Sequence, residues 1–147
     1  MKKLFLFASA LVLSASLFAQ QKKAEDAVKF KDLVHDFGKI KQGSPVTYDF
    51  PFTNISDVPV VIESATPSCG CTTPIKPEGA IAKGKDDKIT AGFNAAAPGP
   101  FNKSITVKVA GIDQPLQLKI VGEVLSADAY AKYEAEKANP KTVKTGS

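Results

Sequence analysis

Arginine is absent from this 147-residue chain: all 19 basic residues are lysine. That removes the side chain best suited to bidentate contacts with phosphates and base edges. The lysines are also scattered among acids rather than gathered in a run, as on a solvated surface. Nucleic acid is therefore not an expected partner. Histidine occurs once, at His35, and cysteine twice, at Cys69 and Cys71, so a four-ligand zinc site has few nitrogen or sulfur ligands to draw on. No Gly-x-Ser-x-Gly motif marks a serine nucleophile. The longest apolar run, Leu4 to Phe18, falls short of the ~20 residues that span a bilayer core.

That run has another reading. Lys2 and Lys3 precede it, and it ends at Leu17-Phe18-Ala19 before polar Gln20-Gln21-Lys22-Lys23. A short positive region, an apolar stretch and a small residue before a polar segment are the parts of a cleavable signal peptide. Residues 1–19 are expected to be the signal, cut after Ala19, although Leu17 is large for the third position before a cut. No cysteine follows closely enough to carry a lipid. The expected product is an exported protein, periplasmic or extracellular, with no transmembrane helix after cleavage. The full chain carries a formal charge of +4, and losing Lys2 and Lys3 leaves it closer to neutral.

The mature length suits one domain and a single core. Residues 20–27 are polar and read as a flexible leader. From Val28 the pattern alternates. Val28-Lys29-Phe30 and Val34 to Ile40 read as one first strand with a kink. Val46, Tyr48, Phe50 and Phe52 fall on every second position and make the clearest half-buried strand. Pro51 within it belongs on an unpaired position near an edge or bulge. Further alternation places Val60 and Ile62, then Ile89, Ala91 and Phe93, then Ile105, Val107 and Val109, then Leu116, Leu118 and Ile120 on inner faces. The Pro, Gly and Lys-rich stretch up to Asp87 reads as loop with at most a short strand. About seven short strands with turn signals every 8–12 residues describe an all-β, immunoglobulin-like antiparallel β-sandwich. It is expected to occupy residues 28–125. Residues 126–147 form a polar tail with a short helix from about Asp128 to Ala138, capped by Ser126. Tyr130 and Tyr133 are available to dock that helix on the sandwich.

Three sets of residues carry a resemblance: His35-Asp36-Phe37-Gly38-Lys39-Ile40, Phe50-Pro51-Phe52-Thr53-Asn54, and Ser68-Cys69-Gly70-Cys71-Thr72. With the closing Gly122-Glu123-Val124, the chain from about Val28 to Leu125 resembles the bacterial secreted family known as domain of unknown function 1573. The resemblance implies an immunoglobulin-like domain, similar in plan to the Hydin-type modules of cilia and centrosomes. It departs at Lys83-Gly84, where the family often has Pro-Gly, which alters a turn. It implies little about activity.

Cys69-Gly70-Cys71 is the unusual motif. Residues two apart reach the Cα separation of a disulfide only where the chain bends, which Gly70 permits. A ring that small adds little unfolded-state restriction. Three readings stay open: a structural or inert pair, a soft-metal site for copper or zinc at Cys69 and Cys71, and a disulfide or redox pair, although thiol exchange usually uses two intervening residues at a helix start. Elsewhere, His35 beside Asp36 invites a catalytic dyad but lacks a nucleophile, and no catalytic residue or cofactor is assigned. Asn54-Ile55-Ser56 and Asn102-Lys103-Ser104 fit a glycosylation pattern without an expectation of use. Glu78, Asp86 and Asp87 lack calcium-loop spacing and read as a solvated loop.

The leading expectation is a non-enzymatic interaction module of the bacterial envelope, with another envelope protein or a carbohydrate-associated partner. It would bind through a sandwich edge or the loop around Cys69. The alternative is a small exported thiol-redox or soft-metal protein. Neither target nor oligomeric state is written in the residues.

Overall fold

The computed structural model describes residues 22–139; the signal peptide expected over 1–19 and the last part of the tail lie outside the described residues. Among the described residues nine strands form: β1 (Val28–Phe30), β2 (Val34–Lys41), β3 (Val46–Asn54), β4 (Val60–Pro67), β5 (Thr72–Ile75), β6 (Ala80–Ile81), β7 (Asp86–Phe93), β8 (Gly99–Val109) and β9 (Leu116–Leu125). They make a four-stranded sheet ordered β1-β3-β7-β5 and a five-stranded sheet ordered β2-β9-β8-β4-β6. The fold is the all-β sandwich that the alternation predicts. Its core is where the two inner faces meet. Phe50, Phe52, Ile89 and Ala91 from one sheet pack against Ile62, Ile105, Val107, Leu118 and Ile120 from the other, all essentially without exposure.

Three expectations about the strands need correction. The stretch from Val28 to Ile40 is not one kinked strand: β1 pairs with β3 in one sheet, and β2 pairs with β9 in the other. The break at Lys31–Leu33 is where the chain changes sheets. The sandwich is also not wholly antiparallel, because β2 and β9 run parallel. The stretch before Asp87 is more ordered than loop. β5 and β6 are short strands at the margins of the two sheets, which raises the count from about seven to nine.

Pro51 sits in β3, which has a neighbour on each side rather than an open edge. Its carbonyl accepts from Lys31 N–H at 3.0 Å, just past the end of β1. In an antiparallel strand the nitrogen and oxygen of one residue face the same side. The missing N–H therefore also faces Lys31, so the proline forgoes only the return bond to the Lys31 carbonyl, and the pairing of β1 with β3 ends there.

The segment before β1 is not a free leader. Residues Ala24–Asp26 form a 3-10 turn, Ala24 N–H donates to Gln114 O at 3.0 Å, and Ala24 and Ala27 are buried in the core. At the other end, α1 (Ala127–Ala138) starts where Ser126 Oγ accepts from Ala129 N–H at 3.4 Å, and it buries no residue. Tyr133 is the side that docks: Lys39 Nζ lies 5.0 Å above its ring centroid.

In β2 a bulge between Asp36 and Lys39 shifts the register and returns Ile40 to the inner face after His35 and Phe37. Asp36 Oδ1 accepts from Gly38 N–H at 2.7 Å, and Gly38 takes φ +65°. The bulge brings the Gly38 carbonyl and the Phe101 ring against Gly122. A Cβ on Gly122 would come within 2.8 Å of both, so this position has no room for any side chain.

Asn54 ends β3 and is fully buried. Its Nδ2 donates to Val58 O and Ile81 O, both at 2.9 Å, and its Oδ1 accepts from the N–H and hydroxyl of Ser56. It ties the turn into β4 to the strand β6, and its burial removes it as a glycosylation acceptor. Asn54→Ala takes one donor from Ile81 O and Val58 O, the latter keeping the Ser56 hydroxyl, and leaves the Ser56 N–H without its acceptor. It should lower stability by about 2–4 kcal/mol, read as a lower denaturant midpoint with an unchanged m-value.

Candidate functional site

The Cys69-Gly70-Cys71 motif lies where the chain leaves the five-stranded sheet at the end of β4 and joins the four-stranded sheet as β5. Backbone groups that lose ladder partners at this corner find others. Ser68 N–H donates to Ser104 O at 2.8 Å, and Ser104 N–H donates to Ser68 Oγ at 3.1 Å. Thr72 N–H donates to Cys69 O at 3.3 Å, closing the turn, and Asn94 N–H donates to Cys71 O at 3.1 Å. Within this turn Cys69 and Cys71 are joined by a disulfide, with Cα atoms 5.3 Å apart, inside the usual range.

The surroundings of the two sulfurs differ. Cys71 packs against the core and lines a cleft of about 210 Å³ with Phe93, Pro98, Pro100, Phe101 and Lys103. Phe93 and Phe101 stack at 4.1 Å and form its floor. Cys69 Sγ lies 3.6 Å from Thr72 Oγ1, and Thr72 is buried. Gly70 is exposed, and its φ is not among the positive ones. The bend therefore does not depend on glycine's freedom, contrary to the expectation from sequence.

As bonded here, neither cysteine offers a thiolate, so a copper or zinc site at Cys69 and Cys71 requires the reduced protein. Among the described residues no group of three or more His, Cys, Asp and Glu side chains comes together. His35 is placed elsewhere: its ring stacks on Tyr48 at 3.5 Å and meets the edge of Phe37 at 4.6 Å. It does not form a dyad with Asp36, whose carboxylate is used by Gly38 N–H. Asp86 and Asp87 belong to the first turn-side residues of β7 rather than to a loop, and Asp86 accepts from the Thr53 hydroxyl.

Burial is the main cause that lowers the His35 pKa below its ordinary value, against the opposing pull of Asp36 and Asp32. Lys103 and the Phe93–Phe101 pair had no signal in the sequence around the cysteines. They come from β7 and β8 and meet Cys71 only when the two sheets stack.

Residues 28–124 match the family described as protein of unknown function (DUF1573). No curated protein matches the chain by sequence. Among solved structures, the ASH/PapD-like domain 7 of human CEP192 superposes with a TM-score of 0.58 at 12% identity, covering 84% of this chain and 99% of that one. A protein of unknown function from Porphyromonas gingivalis W83 gives 0.56 at 13% identity, over 66% of this chain and 46% of that one. The secreted serine protease VesC from Vibrio cholerae gives 0.55 at 11% identity, over 77% and 26%. The chain spans less than half of the last two proteins. At these identities the likeness is one of fold.

Two outcomes are expected. In an NMR titration the His35 imidazole should protonate with a midpoint below about 6.5, and Tyr48→Ala, which uncovers the ring, should bring the midpoint back up. Because folding holds the ring neutral, the stability tied to His35 is intact above about pH 6.5 and is lost as pH falls through the lowered folded value. Replacing Cys69 and Cys71 together by serine should leave the domain folded at a cost well under about 2 kcal/mol. Phe50→Ala should cost about 3–5 kcal/mol. Denaturant midpoints of the two variants, compared side by side, check this.

Proposed function

The chain belongs to the DUF1573 family, and from that premise we propose that it is an exported, non-enzymatic interaction module of the bacterial envelope. Its immunoglobulin-like, PapD-like fold fits a binding module, although a fold alone does not define a function. The observation that carries the reading is the open margin at β4. β6 flanks β4 only at Val60 and Val61, and among the described residues no strand lies outside β4 from Ile62 to Pro67. The backbone groups on that side are a template for an added strand. At the start of the margin Val61 is 38% exposed, so a partner would gain apolar contact along with main-chain hydrogen bonds. The partner fitting this surface is an extended segment of another envelope protein, or one associated with carbohydrate.

Export is supported by Lys2, Lys3 and the apolar run to Phe18, and by a disulfide, which persists in oxidising compartments. The non-enzymatic reading draws on the Asp36 carboxylate, which accepts from Gly38 N–H, and on the His35 ring, which stacks on Tyr48.

A photo-reactive residue at Thr66, on the β4 margin, should crosslink one discrete envelope component. The same residue at Lys88, on the outer face of the other sheet, should not. Equal crosslinking at both, or none at Thr66, would overturn the docking surface. Mass spectrometry of the envelope fraction should find an N-terminus at Gln20; a chain retaining Met1 in the cytoplasm would overturn export. Turnover of any substrate that is abolished by His35→Ala would overturn the non-enzymatic reading.

A further inference from the structure

The corner holds features that an inert staple does not need. A Cβ built on Gly70 meets nothing within 4 Å, so neither backbone nor packing demands glycine there. Gly70 itself is exposed, so the tip of the turn that carries the bridge stands open to solvent. Behind it, Cys71 faces a cleft that contains one cation, Lys103, while the Thr72 hydroxyl stands 3.6 Å from Cys69 Sγ. A bridge of sequence separation 2 adds little to stability, so opening and closing it leaves the sandwich standing.

We propose that Cys69–Cys71 is a thiol–disulfide exchange site, at which a thiolate of a cysteine-containing peptide or protein enters the Lys103 cleft and attacks Cys71 Sγ. This goes beyond the docking reading and does not depend on it. The incoming sulfur forms a bond to Cys71 Sγ, the Cys71–Cys69 bond breaks, and its electron pair leaves on Cys69. The Cys69 thiolate accepts a hydrogen bond from the Thr72 hydroxyl and then takes a proton from water. A second thiolate of the same partner attacks the partner's own sulfur in the mixed disulfide and releases Cys71. The partner dithiol is oxidised to a disulfide by two electrons, and Cys69 and Cys71 end as two thiols. The roles follow from the surroundings: a cation draws the attacking thiolate toward Cys71, and a hydroxyl donor stabilises the sulfur that leaves.

Glutathione is the probe. Oxidised mature protein is mixed with millimolar glutathione, quenched early with an alkylating reagent and mapped by peptide mass spectrometry. Glutathione should sit on Cys71 and the alkyl group on Cys69, in about tenfold excess over the reverse. Lys103→Gln should slow the step by about three- to tenfold with an unchanged denaturant midpoint, and added salt should shrink that difference. Glutathione on Cys69, equal labelling of the two sulfurs, or a rate indifferent to Lys103 would overturn the proposal. So would a bridge that survives hours in millimolar glutathione. None of these results bears on crosslinking at Thr66, so the two readings fail separately.

Discussion

Each time the chain passes from one sheet to the other it strips backbone N–H and C=O groups of their ladder partners, and the sandwich depends on replacing them. Buried polar groups left unpaired are expensive, and the inner faces come together only if the corners can be turned without that loss. At the end of β3 the replacement is the Asn54 carboxamide, which donates to Val58 O and Ile81 O and accepts from Ser56. At the end of β4 it is Ser68 with Ser104, followed by the Cys69–Thr72 turn. Where β2 bulges it is the Asp36 carboxylate on Gly38 N–H. With these in place, among the described residues no buried side-chain nitrogen or oxygen is without a partner.

The inner faces were legible in the residues because alternation reports directly on burial. Phe50, Phe52, Val60, Ile62, Ile89, Ala91, Phe93, Ile105, Val107 and Leu118 are buried as their spacing implies, whereas Val46 and Tyr48 at the start of β3 are only half-buried against the core. Topology was less legible. Nothing in Val34 to Lys41 distinguishes a parallel partner from an antiparallel one, since a strand's pattern records which face is covered and not the direction of its neighbour. The margins β5 and β6 were hidden for a related reason. Prolines and glycines around them break any periodicity, and they are strands only because β7 and β4 present ladders to them. Asn54 stands in a glycosylation pattern in the sequence, and its burial follows from β6 closing over it.

The corner at Cys69 shows the same limit in chemical terms. Spacing alone left three roles open for the cysteines. What separates the sulfurs is their neighbours, the Thr72 hydroxyl on one side and the Lys103 cleft on the other, and Lys103 is delivered by β8 from a distant part of the chain. Two cysteines with one residue between them are thus chemically unlike because they sit on two sides of a sheet change.

The parallel pairing of β2 with β9 has a mechanical meaning. β1 begins at one pole of the sandwich and β9 finishes at the other, since Val28 lies opposite Asn54 and Leu125 opposite Lys41. Tension drawn between Val28 and Leu125 therefore pulls β2 and β9 along their length in opposite senses. It loads their hydrogen bonds side by side in shear instead of peeling them one after another, so this pairing resists being drawn out along that axis.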